Sequence, residues 1–290
     1  MRILPVSCAL FVLSGATVAA SGQDKINVML ITGQNNHKWQ ATTPILKDEL
    51  ALTGRFRITV VVTPPKGATP ARWLRFHPDF SRVQAVVCNY NGEAWPAGVQ
   101  KALEQYMARG GGLVIYHAAN NPFPKWQEWH KMVGLCWQGP AFGDRITVSD
   151  AGDVVRTPRG DGPGAGHGAQ HAFEMLVRDP SHPIMQGVPA KWMHATDELY
   201  HGQRGPAVNM HILATAFSDP ATRGTGANEP LVYVVRYGKG RIFVCLLGHD
   251  VTPTSAPDFA TLLTRGTEWA ATGAVTLPLA PGFADLASGK

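Results

Sequence analysis

Residues 110–120 read GGGLVIYHAAN. Three glycines halt the preceding element, four apolar residues follow, and a histidine comes directly after them. A short apolar run between glycines and a polar turn is the pattern of a strand buried on both faces, as in a parallel sheet. Working outward, residues 28–31 form a similar run ending at Thr32-Gly33. Residues 58–62 are β-branched, and residues 85–90 form a third buried run that breaks at Asn91-Gly92. Between the runs, Thr42-Thr43-Pro44 reads as a helix start and Gly54 as its stop. After Trp95-Pro96, the residues Val99, Ala102, Leu103, Tyr106 and Met107 recur at helical spacing. Strands alternating with helices predict right-handed crossovers and a mainly parallel sheet in a single three-layer α/β domain.

The second half is less regular. Six glycines and two prolines between residues 152 and 168 predict a long surface loop, with no Gly-Lys-Ser/Thr to make it a phosphate cradle. Further strands are expected at 212–217, 231–237 and 241–247, the last two joined by Gly238-Lys239-Gly240. A final helix places Phe259, Leu262, Leu263, Trp269 and Ala270 on one face, with Ser255 as its cap and Pro257 in its first turn.

Composition agrees with a folded core. Of 290 residues, 44% are hydrophobic and 16% charged, which excludes wholesale disorder. Lys and Arg exceed Asp and Glu by 26 − 21 = 5, and no run of like charge concentrates the excess, so no nucleic-acid footprint is present. Arg2, the apolar stretch 3–13, and the small residues Val18 and Ala20 before Ser21 mark residues 1–22 as a signal peptide. A retained anchor is the alternative. Residues 23–290 are then one domain, exported to a bacterial periplasm or secreted. The mature chain keeps Cys88, Cys136 and Cys245, an odd count without close spacing that argues against a disulfide framework or a Cys-rich zinc site. Cys88 and Cys245 sit in apolar runs and are expected to be buried and away from the cleft.

Ligands of open parallel sheets bind outside the carboxyl ends of the strands. His37 follows the first strand, Asn89 and Asn91 flank the end of the third, His117 and Asn120 end the fourth, and His249-Asp250 follow the late strand. Asp197-Glu198 and Tyr200-His201 lie in a polar segment after Trp192. Imidazoles with a carboxylate pair suit general acid–base chemistry or a divalent metal. His117 is the strongest candidate, because an imidazole directly after a buried strand needs a partner. His167 and His171 have i, i+4 spacing, but their glycine-rich setting argues against a helix and against metal ligation by that pair. Trp39, Tyr90, Trp95, Trp126 and Trp129 are candidates for stacking on sugar faces or for the core. No Gly-x-Ser-x-Gly elbow is present, and no mature cysteine occupies one.

Residues 33–37 with Trp39, 89–92, 110–120, 182–184, 197–200, 237–241, 248–249 and 265–270 together resemble the trehalose-utilisation (ThuA-like) family, over about residues 26–275. The resemblance implies a flavodoxin-like sandwich similar to class I glutamine amidotransferases. It puts His117 where those enzymes carry their nucleophilic cysteine, and an imidazole there excludes glutaminase activity. Asn120 stands where many relatives have an acidic residue, and Val244 where many have a histidine. The resemblance further implies a role on disaccharides or 3-keto-glycosides, as a lyase or hydrolase of oxidised sugars. His117, Glu198 and His249 would be the catalytic residues, and His37, Trp39, Asn91, Asn120 and Tyr200 would bind substrate. A divalent metal polarising the ketone fits the same scheme, with no ligand set assigned. The alternative is a non-catalytic carbohydrate-binding or accessory protein. The expected partner is a small-molecule carbohydrate, with no nucleic acid and no stable membrane insertion after cleavage. A homo-oligomer is compatible with the sequence.

Overall fold

A computed structural model describes residues 24–287, so the leader read at residues 1–22 lies outside the described residues. The first half builds β1 (Ile26–Thr32), α1 (Trp39–Leu52), β2 (Phe56–Val62), a single turn α2 (Pro70–Trp73), β3 (Ala85–Cys88), α3 (Ala97–Ala108) and β4 (Gly112–Tyr116). It continues through α4 (Gln127–Val133). The second half adds β5 (Asp144–Val148), β6 (Val154–Thr157), β7 (His171–Val177), β8 (Lys191–Asp197), β9 (Arg204–Gly205) and β10 (Met210–Phe217). It ends with β11 (Asn228–Tyr237), β12 (Gly240–Cys245), α5 (Val251–Thr254) and α6 (Pro257–Thr272).

All twelve strands join one mixed sheet, whose main path runs β2-β1-β3-β4-β12-β11-β10-β7-β8. The first five on that path are mutually parallel. From β11 onward every pairing is antiparallel. The expectation of a mainly parallel sheet therefore holds for the first half and is corrected for the second. The reason is local: Gly238, at φ +56, lets β11 reverse into β12 through a tight turn, and a hairpin can only pair antiparallel.

Leu113, Val114 and Ile115 of β4 are at most 1% exposed, each burial contributing ~1.5–3 kcal/mol. α6 lies against β4 and β12. Gly266 permits the close approach, since a Cβ there would meet the Phe243 ring at 2.1 Å. α6 begins at Pro257 after Ala256, which makes no side-chain cap; Ser255 instead closes α5, correcting the expected cap. The glycine-rich stretch contains a strand, β6, paired to β5. β7 and β8 were not legible as strands because their burial alternates over short lengths and a histidine occupies an inward position of β8. Although β8 is four strands removed from β12, it packs against α5, so the antiparallel half bends back over the carboxyl end of the parallel strands. Cys88, Cys136 and Cys245 are buried free thiols, and burial raises the Cys88 and Cys245 thiols to about 12. None is a thiolate at neutral pH.

Candidate functional site

β4 delivers His117 directly from its carboxyl end, in a left-handed conformation (φ +43) that a non-glycine residue adopts only under constraint. The constraint is visible. The His117 ring is 1% exposed, and its Nδ1 lies 2.8 Å from the Leu246 carbonyl just beyond β12. A carbonyl only accepts, so Nδ1 carries a proton, and in the neutral imidazole Nε2 then keeps the lone pair. That Nε2 is buried and has no hydrogen-bond partner.

His37 is arranged the same way from the loop after β1. Its Nδ1 is 3.2 Å from Asn35 Oδ1, which also accepts from the His37 backbone N–H. The Asn35 amide in turn donates to Asn89 Oδ1 at 3.2 Å, and Asn89 donates to Thr42 and Thr43 of α1. Burial lowers the His37 pKa, with Glu198 working against that shift and His117 and His249 reinforcing it.

Glu198, directly after β8, is the centre of the cluster. One carboxylate oxygen is 3.6 Å from His117 Nε2 and 3.8 Å from His37 Nε2. The other is 3.2 Å from His249 Nε2 and 3.4 Å from His167 Nε2. Burial pushes the Glu198 carboxyl upward, but His117 and His37, when their imidazoles are protonated, outweigh it and hold the group well below the ordinary carboxylate range. It is ionised at neutral pH.

Beneath this cluster lies a fully buried chain of charge. Asp197, the last residue of β8, accepts the backbone N–H groups of Glu198 (2.8 Å), Gly248 (2.6 Å) and His249 (2.9 Å). It also accepts His194 Nε2 at 3.0 Å. The other nitrogen of His194 is 2.6 Å from Asp258 in the first turn of α6, which takes the Trp192 indole N–H as well. With a carboxylate at each nitrogen, His194 must donate from both. Burial alone would lower its pKa, yet hydrogen bonds to Asp197 and Asp258 raise it to about 9. Burial likewise pushes Asp197 up, and His194 more than offsets it, leaving the carboxyl below its ordinary value. One carboxylate thus sets the backbone that carries both Glu198 and His249. Gly248 is required at this point: its φ is +97, and a Cβ would lie 2.7 Å from the Tyr116 ring.

The sequence profile of the ThuA family, described as trehalose utilisation, matches residues 27–270. The chain belongs to this family. It is 43% identical to a ThuA-like protein of known structure from Parabacteroides merdae, with a TM-score of 0.83 over 88% of this chain and 93% of that one. A ThuA-like protein from Bacteroides uniformis is 14% identical, with a TM-score of 0.57 over 90% of this chain and 98% of that one, and shares the fold. No curated protein matches the sequence.

In this ThuA-family chain the sequence-predicted His37, His117, Glu198 and His249 come together. Tyr200 is buried against His117, ring centroids 4.3 Å apart, and contacts Trp137 at 4.5 Å. Three predicted residues take other positions. Asn91 donates to Asn36 at 2.6 Å and so braces the loop that carries His37. Asn120 is fully buried and gives its amide to the Leu135 carbonyl and to Gln203. Trp39 opens α1 and lines a separate groove of about 1090 Å³ beside the edge strand β2, together with Arg72 and Phe76. His37, two residues earlier, turns the other way because Asn35 holds it.

Sequence reasoning set aside His167 and passed over His194, Asp258, Asn35 and Trp137. His167 reaches Glu198 from the glycine-rich stretch, which is strapped down by a Gly166–His201 backbone bridge and by the Arg204 guanidinium on the Pro163 and Asp161 carbonyls. His171, four residues on, bonds the Ala169 carbonyl, in keeping with the reading that the two do not act as a pair. The histidine at 167 was itself the signal. The others gave none, since their meaning depends on partners up to 66 residues away.

Proposed function

We propose that this protein is an exported carbohydrate-utilisation protein that acts on (3-keto-)glycosides or disaccharides at the Glu198–histidine cluster. One observation carries the reading: four imidazoles of His37, His117, His167 and His249 surround one buried, ionised carboxylate. Such a site holds proton donors and acceptors together. The family description, trehalose utilisation, supports a sugar as substrate. Trp137, half-buried beside Tyr200 and 5.9 Å from the His167 ring, is an aromatic platform of the kind that sugar faces cover. A three-layer, flavodoxin-like sandwich is the matching fold reading, since the parallel strands stand in the order β2-β1-β3-β4-β12, which corresponds to the 2-1-3-4-5 order of that class when β12 is counted as the fifth parallel strand. Export rests on the leader pattern at residues 1–22.

A ketone at C3 acidifies the C2–H bond. A base of the cluster takes that proton, the electron pair forms the C1–C2 double bond, and the C1–O bond breaks. The leaving oxygen receives a proton from an acid of the cluster, so protons and electrons balance. No water is consumed in this elimination. The test incubates the full mature chain with trehalose and with 3-keto-trehalose and follows release of the aglycone sugar. Turnover of the keto-sugar that falls ~10²-fold or more in His117→Ala, with an unchanged thermal melt, is the expected result. Sugar binding without turnover of either compound overturns catalysis and leaves a binding protein. A His117→Ala chain that unfolds beside a fully active His117→Gln variant overturns the assignment of His117.

A further inference from the structure

We infer that His37, His117, His249 and Glu198 form a binding site for one first-row divalent cation of the zinc type. Three of them, His37, Glu198 and His249, already hold their ligand atoms within 4.8 Å of one another. His117 Nε2 lies 3.6 Å from the same carboxylate. Four donors at ~2.0–2.1 Å around a tetrahedral ion are ~3.3 Å from one another. His117 and His37 lie 3.6 and 3.8 Å from one Glu198 oxygen and His249 lies 3.2 Å from the other, so a turn of the carboxylate that offers one oxygen to all three would close the set.

Independent of this spacing, His117 points to a ligand. It is 99% removed from solvent, its proton is committed to the Leu246 carbonyl, and its lone pair faces the cluster without a partner. A buried polar atom left unpaired costs ~1–3 kcal/mol, which is a reason for something to fill the place. His37 repeats the device with Asn35 as acceptor at Nδ1. Metal-ligating histidines characteristically donate their other ring nitrogen to a carbonyl or carboxyl-type oxygen, which fixes tautomer and ring direction. The separations of 3.6 and 3.8 Å from Glu198 agree, because a nitrogen without a proton does not hydrogen-bond to a carboxylate. Three imidazoles and one carboxylate suit zinc, or a neighbouring transition ion, rather than calcium or magnesium, which prefer oxygen ligands.

The cation site stands on donor geometry alone. Its use in catalysis rests on the keto-glycoside reading, where the ion would polarise the ketone oxygen as a Lewis acid. His117, Glu198 and His249 then act as ligands, and His167, on the strapped glycine-rich segment, is left as the proton-carrying group. Its Nδ1 is likewise buried without a partner.

The experiment strips the full mature chain with chelator and titrates it calorimetrically with zinc, manganese or calcium chloride, without sugar. One zinc per chain is expected, with Kd below ~1 µM and calcium at least ~100-fold weaker. His117→Ala and His249→Ala should each weaken zinc by ~100-fold or more, and Asn35→Ala by ~10–100-fold. His211→Ala, at the exposed Asp179 pair, should leave it unchanged. Circular dichroism identifies any variant that fails to fold, and the milder Asn35→Ala keeps the test available. Absence of saturable one-to-one binding, or an affinity indifferent to His117→Ala and Asn35→Ala in folded protein, overturns the site. Tight zinc binding without keto-sugar turnover would sink the sugar reading and leave the cation site standing. Turnover that survives complete stripping would remove the cation from the reaction.

Discussion

β4 and β8 both end at the cluster of Glu198 and its histidines, yet they are built differently. β4 lies inside the parallel half and is buried along its whole length, while β8 closes the antiparallel half and alternates buried with exposed residues. Strands of the first kind hand single residues, His117 and the loop residue His37, to a crevice that the topology already provides. The second kind supplies Glu198, and beside it the Asp197–His194–Asp258 chain that ties β8 to the loop after β12 and to α6. The parallel half presents imidazoles; the antiparallel half places the carboxylate among them. The site exists where the two are joined, and the joint is a buried ionic network.

Breaking the joint should have the largest effect. Asp197→Asn leaves His194 facing one carboxylate and weakens three backbone hydrogen bonds at once. A loss of ~3–5 kcal/mol in urea denaturation is expected, with loss of turnover in whatever fraction stays folded. Stability equal to wild type would show that the halves hold together without the network.

A second effect separates the network from the rest of the fold by pH. His194 has a pKa of about 9 in the folded chain against 6.5 as its ordinary value. Its contribution is therefore complete below pH 6.5 and disappears as pH rises through about 9. The loss is on the order of 3 kcal/mol. Denaturation curves across that window should decline in wild type and flatten in His194→Gln; parallel curves would contradict an imidazolium at this position.

Within the parallel half alone, Cys88→Ser puts a hydroxyl where a thiol is wholly buried in β3. It should cost ~1–3 kcal/mol of stability while kcat stays unchanged. A folded variant with abolished turnover would mean that the thiol, and not the imidazole cluster, reacts.

The smallest effect is expected at the cleft wall. Trp137 lies against the Tyr200 and His167 rings. Trp137→Ala should raise KM for the keto-sugar by ~2–10-fold with kcat nearly constant, and Trp137→Phe should recover most of it. An equal fall in kcat for both variants would place the indole at the reacting atoms.

Much of this molecule was legible before any coordinates. The apolar runs at 28–31, 85–88 and 113–116 predict β1, β3 and β4, because strands buried on both faces leave an unbroken apolar signature. A polar residue after such a run sits at the carboxyl end of the sheet, which marks His117 and, after β12, His249, whereas Thr32 and Asn89 at the same level turn to Thr42 and Thr43 of α1. β7 and β8 left no such signature, since half of each faces outward, and the inward His194 reads as polar until its two carboxylate partners are known.

Sequence by itself thus determined the parallel half, the burial of the cysteines and the placing of histidines at strand ends, because each follows from local burial or spacing. Only the tertiary structure decided that β10, β7 and β8 extend the sheet beyond the β11–β12 hairpin and that β8 comes against α5 at the crevice. It alone brought His167 to Glu198, sent Trp39 to another groove, and left His117 Nε2 without a partner. The physical reason is one of range. Burial periodicity is written along a few residues of chain, whereas the state of an imidazole is set by whichever acceptor reaches its other nitrogen, here Leu246, 129 residues away.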